Sequence, residues 1–247
     1  REPLLPNKKT TLNLNYTVKI PSDKFTNFGY DSSGDLYLKD WFLAPARYES
    51  KGFVHYNNFN VDDNAKAAAD YNINLKLPNN FRVATDLNEK LIDKDQSHTY
   101  YNLTGTNWNN FSLFLGENFS FQNFKTSSVE VITNIYKKNV TDEQKSLAIN
   151  KIVDYVKRQL REFPHDKILI SQTDYDSNPL YGLNQLPSFI RPFSNEFTFE
   201  IKFLKIYLEE YLKKSLKLDP RKDHWIYDAI QVYTMMEYID TYNPGMK

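Results

Sequence analysis

The sequence predicts an α+β fold in which an antiparallel β half, saddle- or sandwich-like, precedes an α/β half. Three observations predict it. Short runs before about residue 124 alternate apolar and polar residues, the period of a half-buried strand. Runs after about residue 140 repeat apolar residues at helical spacing. The texture switches once, near residue 125. The expected domains are therefore 1–124, its N-terminus incomplete, and 125–247.

In the first half, "TLNLNYTVKI" puts Leu12, Leu14, Tyr16, Val18 and Ile20 on one face, and "YNINLKL" does the same with Tyr71, Ile73, Leu75 and Leu77. "DLYLKDWFLAPA", "GFVHYNNFNV", "FRVATDL" and "FSLFLGENFSF" are further strands between polar turns. "DDNAKAAAD" and "LNEKLIDKDQ" read as charged loops. Many short strands at regular spacing imply a sandwich-like antiparallel layer. In the second half, "SVEVITNIY" is a strand. Thr141 and Gln144 then form a capping box that opens a helix. Ile149, Ile152, Val153, Val156 and Leu160 line its apolar face, and Pro164 stops it. "DKILISQTDY" reads as a buried strand. Ser194 caps a long helix ended by Asp219-Pro220, and "HWIYDAIQVYTMMEYIDTY" is a last helix, stopped at Asn243-Pro244-Gly245.

Composition narrows the function classes. The chain carries 31 basic and 31 acidic residues, so it has no electrostatic footprint for nucleic acid or an anionic membrane. Mean hydropathy is −0.64 and no apolar run can span a bilayer. The absence of Cys removes disulfides, thiolate chemistry and Cys-ligated metal. The 17 Phe and 18 Tyr are core or surface filler before they are stacking platforms. Asn-x-Ser/Thr triplets at Asn15, Asn102, Asn110, Asn118 and Asn139 are expected by chance in so Asn-rich a chain. Arg1 stands where an initiator Met would, which gives the expectation that the chain is part of a longer polypeptide.

Several motifs occur in an informative order. "YVKRQLREFPHDKILISQTDY" gives helix, aromatic-Pro, Lys and strand. "GLNQLP" (Gly182–Pro187) follows, then the long helix, then "HWIYDAIQVY" with Trp225, Asp228 and Tyr233. This order resembles the M1 (gluzincin) family of zinc aminopeptidases. There, a β domain precedes a thermolysin-like catalytic domain with a G-x-M-E-N-P strand, an HExxH helix and a W-x-x-E-G helix. The resemblance covers essentially the whole chain. It implies that 125–247 is the first part of such a catalytic domain. The tyrosine that stabilises the tetrahedral intermediate in that family lies beyond this segment.

The departures decide the expected chemistry. HExxH places two imidazoles at i and i+4 to hold zinc. The chain has four histidines, His55, His98, His165 and His224, and no two are four residues apart. One alignment puts "FEIKF" at the motif, with Phe199 and Phe203 in the ligand positions and Glu200 as the general base. Another puts "KIYLE" there, Lys205 to Glu209. Asp228 stands at the third ligand, one methylene shorter than Glu. Gln185 replaces the glutamate that would meet a substrate's ammonium group, and an amide makes a weaker, uncharged contact. The resemblance thus implies a degenerate bacterial (Bacteroidetes-like) member without zinc, because without ligands there is no activated water or Lewis acid. Glu200, Glu209 and Asp228 are the degenerate positions, and no catalytic residue is expected. Tyr181, Gly182, Leu183, Asn184 and Gln185 are the expected peptide-binding cleft, unless "YGLNQLP" is only a turn into an edge strand.

Plain structural readings stand beside these. Glu200 on a helix rich in Glu and Lys reads as part of a solvated, i,i+4-paired face. Phe199 and Phe203 read as core. His165 reads as a favourable charge at a helix exit. No Ser or Thr sits in a nucleophile elbow and there is no phosphate-binding glycine loop. The expected function is a non-catalytic pseudopeptidase that binds a peptide or protein, or acts as a scaffold within a larger cell-envelope protein. Its expected location is extracytoplasmic, periplasmic or at the cell surface. The alternatives are a working metallo-aminopeptidase with unusual or missing ligands, and a surface- or carbohydrate-binding β module.

Overall fold

The computed structural model describes residues 5–49, 52–54, 66–178, 180, 193–216 and 218–246. The described residues form twelve strands: β1 (Gly29–Tyr30), β2 (Leu36–Leu38), β3 (Tyr48–Glu49), β4 (Gly52–Phe53), β5 (Ala69–Pro78), β6 (Arg82–Thr85), β7 (Asn88–Lys94), β8 (His98–Trp108), β9 (Leu113–Gly116), β10 (Gln122–Lys125), β11 (Glu130–Thr133) and, after the first helix, β12 (Lys167–Ile170). The helices are α1 (Asp142–Gln159), α2 (Gln172–Ser177), α3 (Asn195–Ser215) and α4 (Pro220–Tyr242), with a 3-10 turn at Pro244–Met246. Among the described residues the strands form sheets of order β1-β2-β9-β6, β5-β8-β7 and β10-β11-β12, plus the β3-β4 ribbon. The fold is α+β, as the sequence predicts: antiparallel strands dominate the first half, and helices dominate the second, where β11 and β12 pair in parallel.

β5 runs over the predicted stretch, and its apolar residues face inward opposite β8, with Ile73 level with Leu103 and Leu75 with Tyr101. The sequence reading missed β8, the longest strand among the described residues. Its Thr, Asn and Gly residues hide the alternation. They are tolerated because β8 lies between two partners, β5 along its length and β7 over Thr99–Thr104, that pair its backbone. On the outer face Asn102 donates to Asn72 and Asn74 at 2.6 and 2.8 Å. β7 corrects the expected loop at "LNEKLIDKDQ". It is a fully exposed edge strand, and its Lys, Glu and Asp residues suit an edge that must not recruit another chain.

The segment 11–20 is a second correction. No ladder forms there, and Leu12, Leu14, Tyr16 and Val18 are exposed. Alternation supplies a face, but a strand also needs an edge to pair with. Only the far end is held, by Leu43 N–H donating to the Tyr16 hydroxyl and by Ile20 packing on the β core. The strand expected over 35–46 shortens to β2, and of the strand expected over 52–61 only 52–54, which hold β4, lie within the described residues.

The α/β half follows the sequence more closely. The capping box of α1 is present, with Thr141 N–H donating to Gln144 Oε1 at 2.8 Å and Gln144 N–H to Thr141 Oγ1 at 3.3 Å. α1 links the parallel pair β11–β12 and ends before Pro164 is reached. The strand expected through Tyr175 stops at Ile170, because Ser171 and Asp174 form a second capping box that starts α2. Asp219-Pro220 begins α4 rather than only ending α3, since proline suits the first helical position.

Three apolar clusters hold the fold. One joins α1, α3 and α4 to β11 and β12, and one fills the β half around Leu87, Leu103, Trp108 and Phe111. The third, Tyr37, Ala84, Phe114, Ile132 and Leu169, connects the two halves, with Tyr37 stacked on Phe114 at 3.9 Å. Gly105 is fixed by this packing: a Cβ there would lie 2.5 Å from Leu87 and 2.7 Å from Trp108. Gly105→Ala is expected to lower stability by about 1–3 kcal/mol, read from a chemical denaturation midpoint.

Candidate functional site

α3 carries the positions at which sequence reasoning looked for a metal motif. Phe199 and Phe203 are 1% and 0% exposed. With Tyr207 and Tyr211 they make one i,i+4 column, ring centroids 5.6, 6.4 and 6.3 Å apart. Tyr175 of α2 extends it, 6.1 Å from Phe199. The column faces the core, as predicted for the two phenylalanines.

Glu200 corrects the reading of a solvated face. It pairs with Lys151 of α1 at 2.5 Å and accepts from the Tyr238 hydroxyl of α4 at 2.6 Å. Burial, then the hydrogen bond and charge of Glu200, hold the Tyr238 hydroxyl well above its ordinary pKa. Lys151 also lies 5.6 Å from the Tyr238 ring and 5.1 Å from that of Tyr242. Through one carboxylate oxygen Glu200 therefore ties three helices together, and it also lines a cavity of about 210 Å³ with Gln144, Lys151 and Glu196.

Glu209 and Asp228 lie elsewhere. They line one cavity of about 260 Å³ between α3, α4 and the β half. Glu209 accepts from Asn178 and pairs with Lys213 at 2.7 Å. Asp228 lies 3.1 Å from His224. Gln231 donates to the Lys205 carbonyl at 2.8 Å, fixing one wall. The β half supplies the other through the ion-paired Asp40 and Lys66 and through Asn109 and Asn110. Sequence reasoning missed these four, which sit in loops and strand ends with no motif around them. The structure thus brings Glu209 and Asp228 together and leaves Glu200 apart. Tyr181, Gly182, Leu183, Asn184 and Gln185, the expected peptide cleft, lie outside the described residues.

Among the described residues the imidazoles do not converge, and His55 lies outside them. His98 contacts Ser97 and Asp95, and His165 stacks on Trp108 at 3.6 Å. His165, read from sequence as a favourable cation, is instead held below its ordinary pKa by burial and then by Lys214. Among the described residues, no three His, Cys, Asp or Glu side chains gather to hold a metal ion. A zinc centre of the peptidase type needs three protein ligands, and the described residues do not fit it.

A charged cluster joins the two halves behind the cavity. Lys214 of α3 pairs with Asp86 at 2.8 Å and with Glu210 at 3.0 Å. Asp86 is 2% exposed and also accepts from the backbone N–H of Ser112 and Leu169, both at 2.7 Å. Burial opposes the Lys214 charge, but Asp86 and Glu210 outweigh it and raise its pKa. Burial likewise opposes the Glu210 carboxylate, but Lys214, Lys213 and Lys39 outweigh it and lower its pKa. Asp174 is raised by burial and by repulsion from Glu210, and it accepts from the Tyr37 hydroxyl at 3.1 Å.

These shifts set an alkaline response. Lys214 is raised above 10.5, and Tyr155, buried and near Glu237, is pushed up to about 12. A group with a raised folded pKa binds its proton more tightly in the native state, so its contribution is complete below the unfolded pKa. It is lost as pH climbs through the folded pKa. Stability is expected to fall steadily once pH exceeds the ordinary Tyr and Lys values of 10.0 and 10.5. Denaturant midpoints measured across that range check it, and a flat profile would contradict it.

No family model matches the chain, and no curated protein matches it by sequence. Solved structures do match by fold. An M1 zinc metallopeptidase from Deinococcus radiodurans superposes with a TM-score of 0.50 and 12% identity over 91% of this chain and 51% of that one. A mutant two-domain M1 zinc metallopeptidase bound to L-arginine gives a TM-score of 0.51 and 12% identity over 92% and 51%. A mutant bound to L-tryptophan gives 0.50 and 12% over 91% and 51%. At this identity the likeness is one of fold, and the chain spans about half the length of the structures it matches.

Proposed function

We propose that this chain is an M1-metallopeptidase-like unit that has lost its zinc ligands and that binds a peptide or protein, or scaffolds a larger cell-envelope protein, without catalysis. The observation that carries the reading is the aromatic column of α3. Phe199 and Phe203, at helical i,i+4 spacing around Glu200, are core residues, and Glu200 is committed to Lys151 and Tyr238. The cavity of Glu209, Asp228, Asn178 and Gln231 supports binding. It offers carboxylates and amides that satisfy peptide N–H and C=O groups, beside an apolar wall from Leu212 and Leu216. Its extracytoplasmic placement rests on the sequence resemblance alone.

Three measurements on the purified chain test the proposal. Zinc content after incubation with the metal is expected to stay substoichiometric. Hydrolysis of aminoacyl amides is expected to equal the blank. Unmodified short peptides are expected to bind, with affinity reduced about tenfold in Asp228→Ala, the loss anticipated for a contact of about 1.4 kcal/mol. Stoichiometric zinc together with turnover would replace this reading by that of an active metallo-aminopeptidase.

A further inference from the structure

Three lysines are buried among the described residues: Lys145, Lys202 and Lys214. Two of them have carboxylates. Lys145 pairs with Asp142 at 3.1 Å, and Lys214 pairs with Asp86 and Glu210 at 2.8 and 3.0 Å. Lys202 of α3, 8% exposed, has neither an ion pair nor a hydrogen bond among the described residues. Its Nζ lies 4.2 Å from the centre of the Tyr175 ring of α2. A cation over an aromatic face recovers part of the lost hydration. It leaves all three N–H donors of the ammonium unmet, and a lysine is almost never buried without a partner.

The same ring carries a second unmet donor. Tyr175 is 3% exposed, and its hydroxyl is enclosed without a hydrogen-bond partner. Each such orphan carries a desolvation cost. The surroundings are electropositive. Asp176 attracts the Lys202 charge from α2, but it already accepts from the Gln172 side chain at 2.8 Å. Lys137 and Lys205 oppose it. Lys137 is brought near by the loop after β11, which is bound to the start of α2. There Tyr136 N–H donates to Gln172 Oε1 and Gln172 N–H donates to Asn134 Oδ1, both at 2.7 Å. Burial, partly offset by Asp176 and reinforced by Lys137 and Lys205, holds Lys202 below the ordinary lysine pKa.

We propose that Lys202 and Tyr175 form a binding site for a small oxyanion of the phosphate class, with Lys137 adding positive charge beside it. A phosphoryl group brings several strong acceptor oxygens and more than one negative charge, and a lysine ammonium binds it as a point charge. One oxygen accepts from Lys202 Nζ. Another accepts from the Tyr175 hydroxyl, at the rim of the ring that Lys202 covers. Nζ is not enclosed as that hydroxyl is, so the anion reaches it from solvent. Bound there, the anion supplies the negative charge that Asp142 gives Lys145 and that Asp86 and Glu210 give Lys214. Lys202 and Tyr175 lie outside the cavity of Glu209 and Asp228, so the two sites stand independently.

Titration of the whole chain with inorganic phosphate tests the site, read by calorimetry and by the thermal midpoint, with sodium chloride at matched ionic strength as the blank. Phosphate is expected to bind and to raise the midpoint, since a ligand taken up only by the native state stabilises it. Lys202→Met keeps an unbranched side chain without the charge. It is expected to weaken phosphate binding by about tenfold or more. Without phosphate it is expected to raise the midpoint, because a buried charge with no partner is removed. Tyr175→Phe is expected to weaken binding about three- to tenfold and not to lower the phosphate-free midpoint. Lys94→Met, on the exposed edge strand β7, is expected to leave binding unchanged. Glycerol phosphate separates the two sources of the anion. Tighter binding than inorganic phosphate assigns the site to a phosphomonoester and weaker binding to the free ion, and either upholds it. If Lys202→Met proves misfolded, Tyr175→Phe decides alone. No phosphate binding above the chloride blank overturns the proposal, and so does binding that Lys202→Met and Tyr175→Phe leave unchanged.

Discussion

Lys214→Met is expected to destabilise the protein by about 3–5 kcal/mol, the cost of leaving a buried charge without its partner. Asp86 and Glu210 both turn to this one ammonium, whose side chain is 4% exposed. Removing it strands the fully buried carboxylate of Asp86 at the junction of the β half and α3. The two backbone N–H groups that Asp86 also accepts offset part of the loss. Glu210, with Lys214 gone, adds to the repulsion that already raises Asp174. Urea or guanidinium unfolding of the variant measures the effect. A loss below about 1 kcal/mol would mean that the cluster is solvated and screened, as surface pairs are. Replacing Asp86 and Glu210 with neutral residues in the Lys214→Met background is expected to recover stability, because the stranded charges, more than the lost attraction, set the cost.

The double substitution Phe199→His/Phe203→His is expected to create no zinc site and to cost several kcal/mol. It would spell H-E-x-x-H across residues 199–203, with Glu200 already in the middle. Three features of the structure argue against a gain of metal. Both phenylalanines are buried in an aromatic column, so each exchange removes apolar volume and buries polar nitrogens without partners. Glu200 already pairs with Lys151 and accepts from Tyr238, contacts that a base acting on a zinc-bound water would have to share. Asp228, the third position, lies in the separate cavity with Glu209 and His224. Zinc titration and denaturant unfolding of the variant decide the matter. Stoichiometric zinc uptake with retained stability would show that the ligand geometry survives in α3, and the proposed loss of function would then rest on two side chains alone.

The elements legible in the sequence are those whose signal is local. The capping box at Thr141 and Gln144, the serine cap at Ser194 and the alternation of β5 each depend on residues a few positions apart, and each is where it was expected. β8 and β7 were not legible, because their polar residues are strand residues only by virtue of the neighbours they pair with. The segment 11–20 failed the opposite way: its pattern was ideal, but no described strand pairs with it. α2 went unseen because a six-residue helix carries too few apolar positions to show a period, and only Ser171 and Asp174 mark it.

The candidate site divides in the same manner. The sequence by itself determined what chemistry is within reach: no cysteine, no pair of histidines at helical spacing, and Phe199 and Phe203 around Glu200. It also supplied the order of elements that carries the likeness to an M1-type fold. Only the tertiary structure decided which of the surviving acidic residues meet. Glu200 turns into an interhelix tie, Glu209 and Asp228 share a cavity, and Asp40, Lys66, Asn109 and Asn110 arrive from the β half to close it. Residue types and their spacing along one helix are fixed by covalent order, whereas convergence between elements depends on how α3, α4 and the sheets pack, and that packing is set by the buried column and the Asp86–Lys214–Glu210 cluster rather than by any motif.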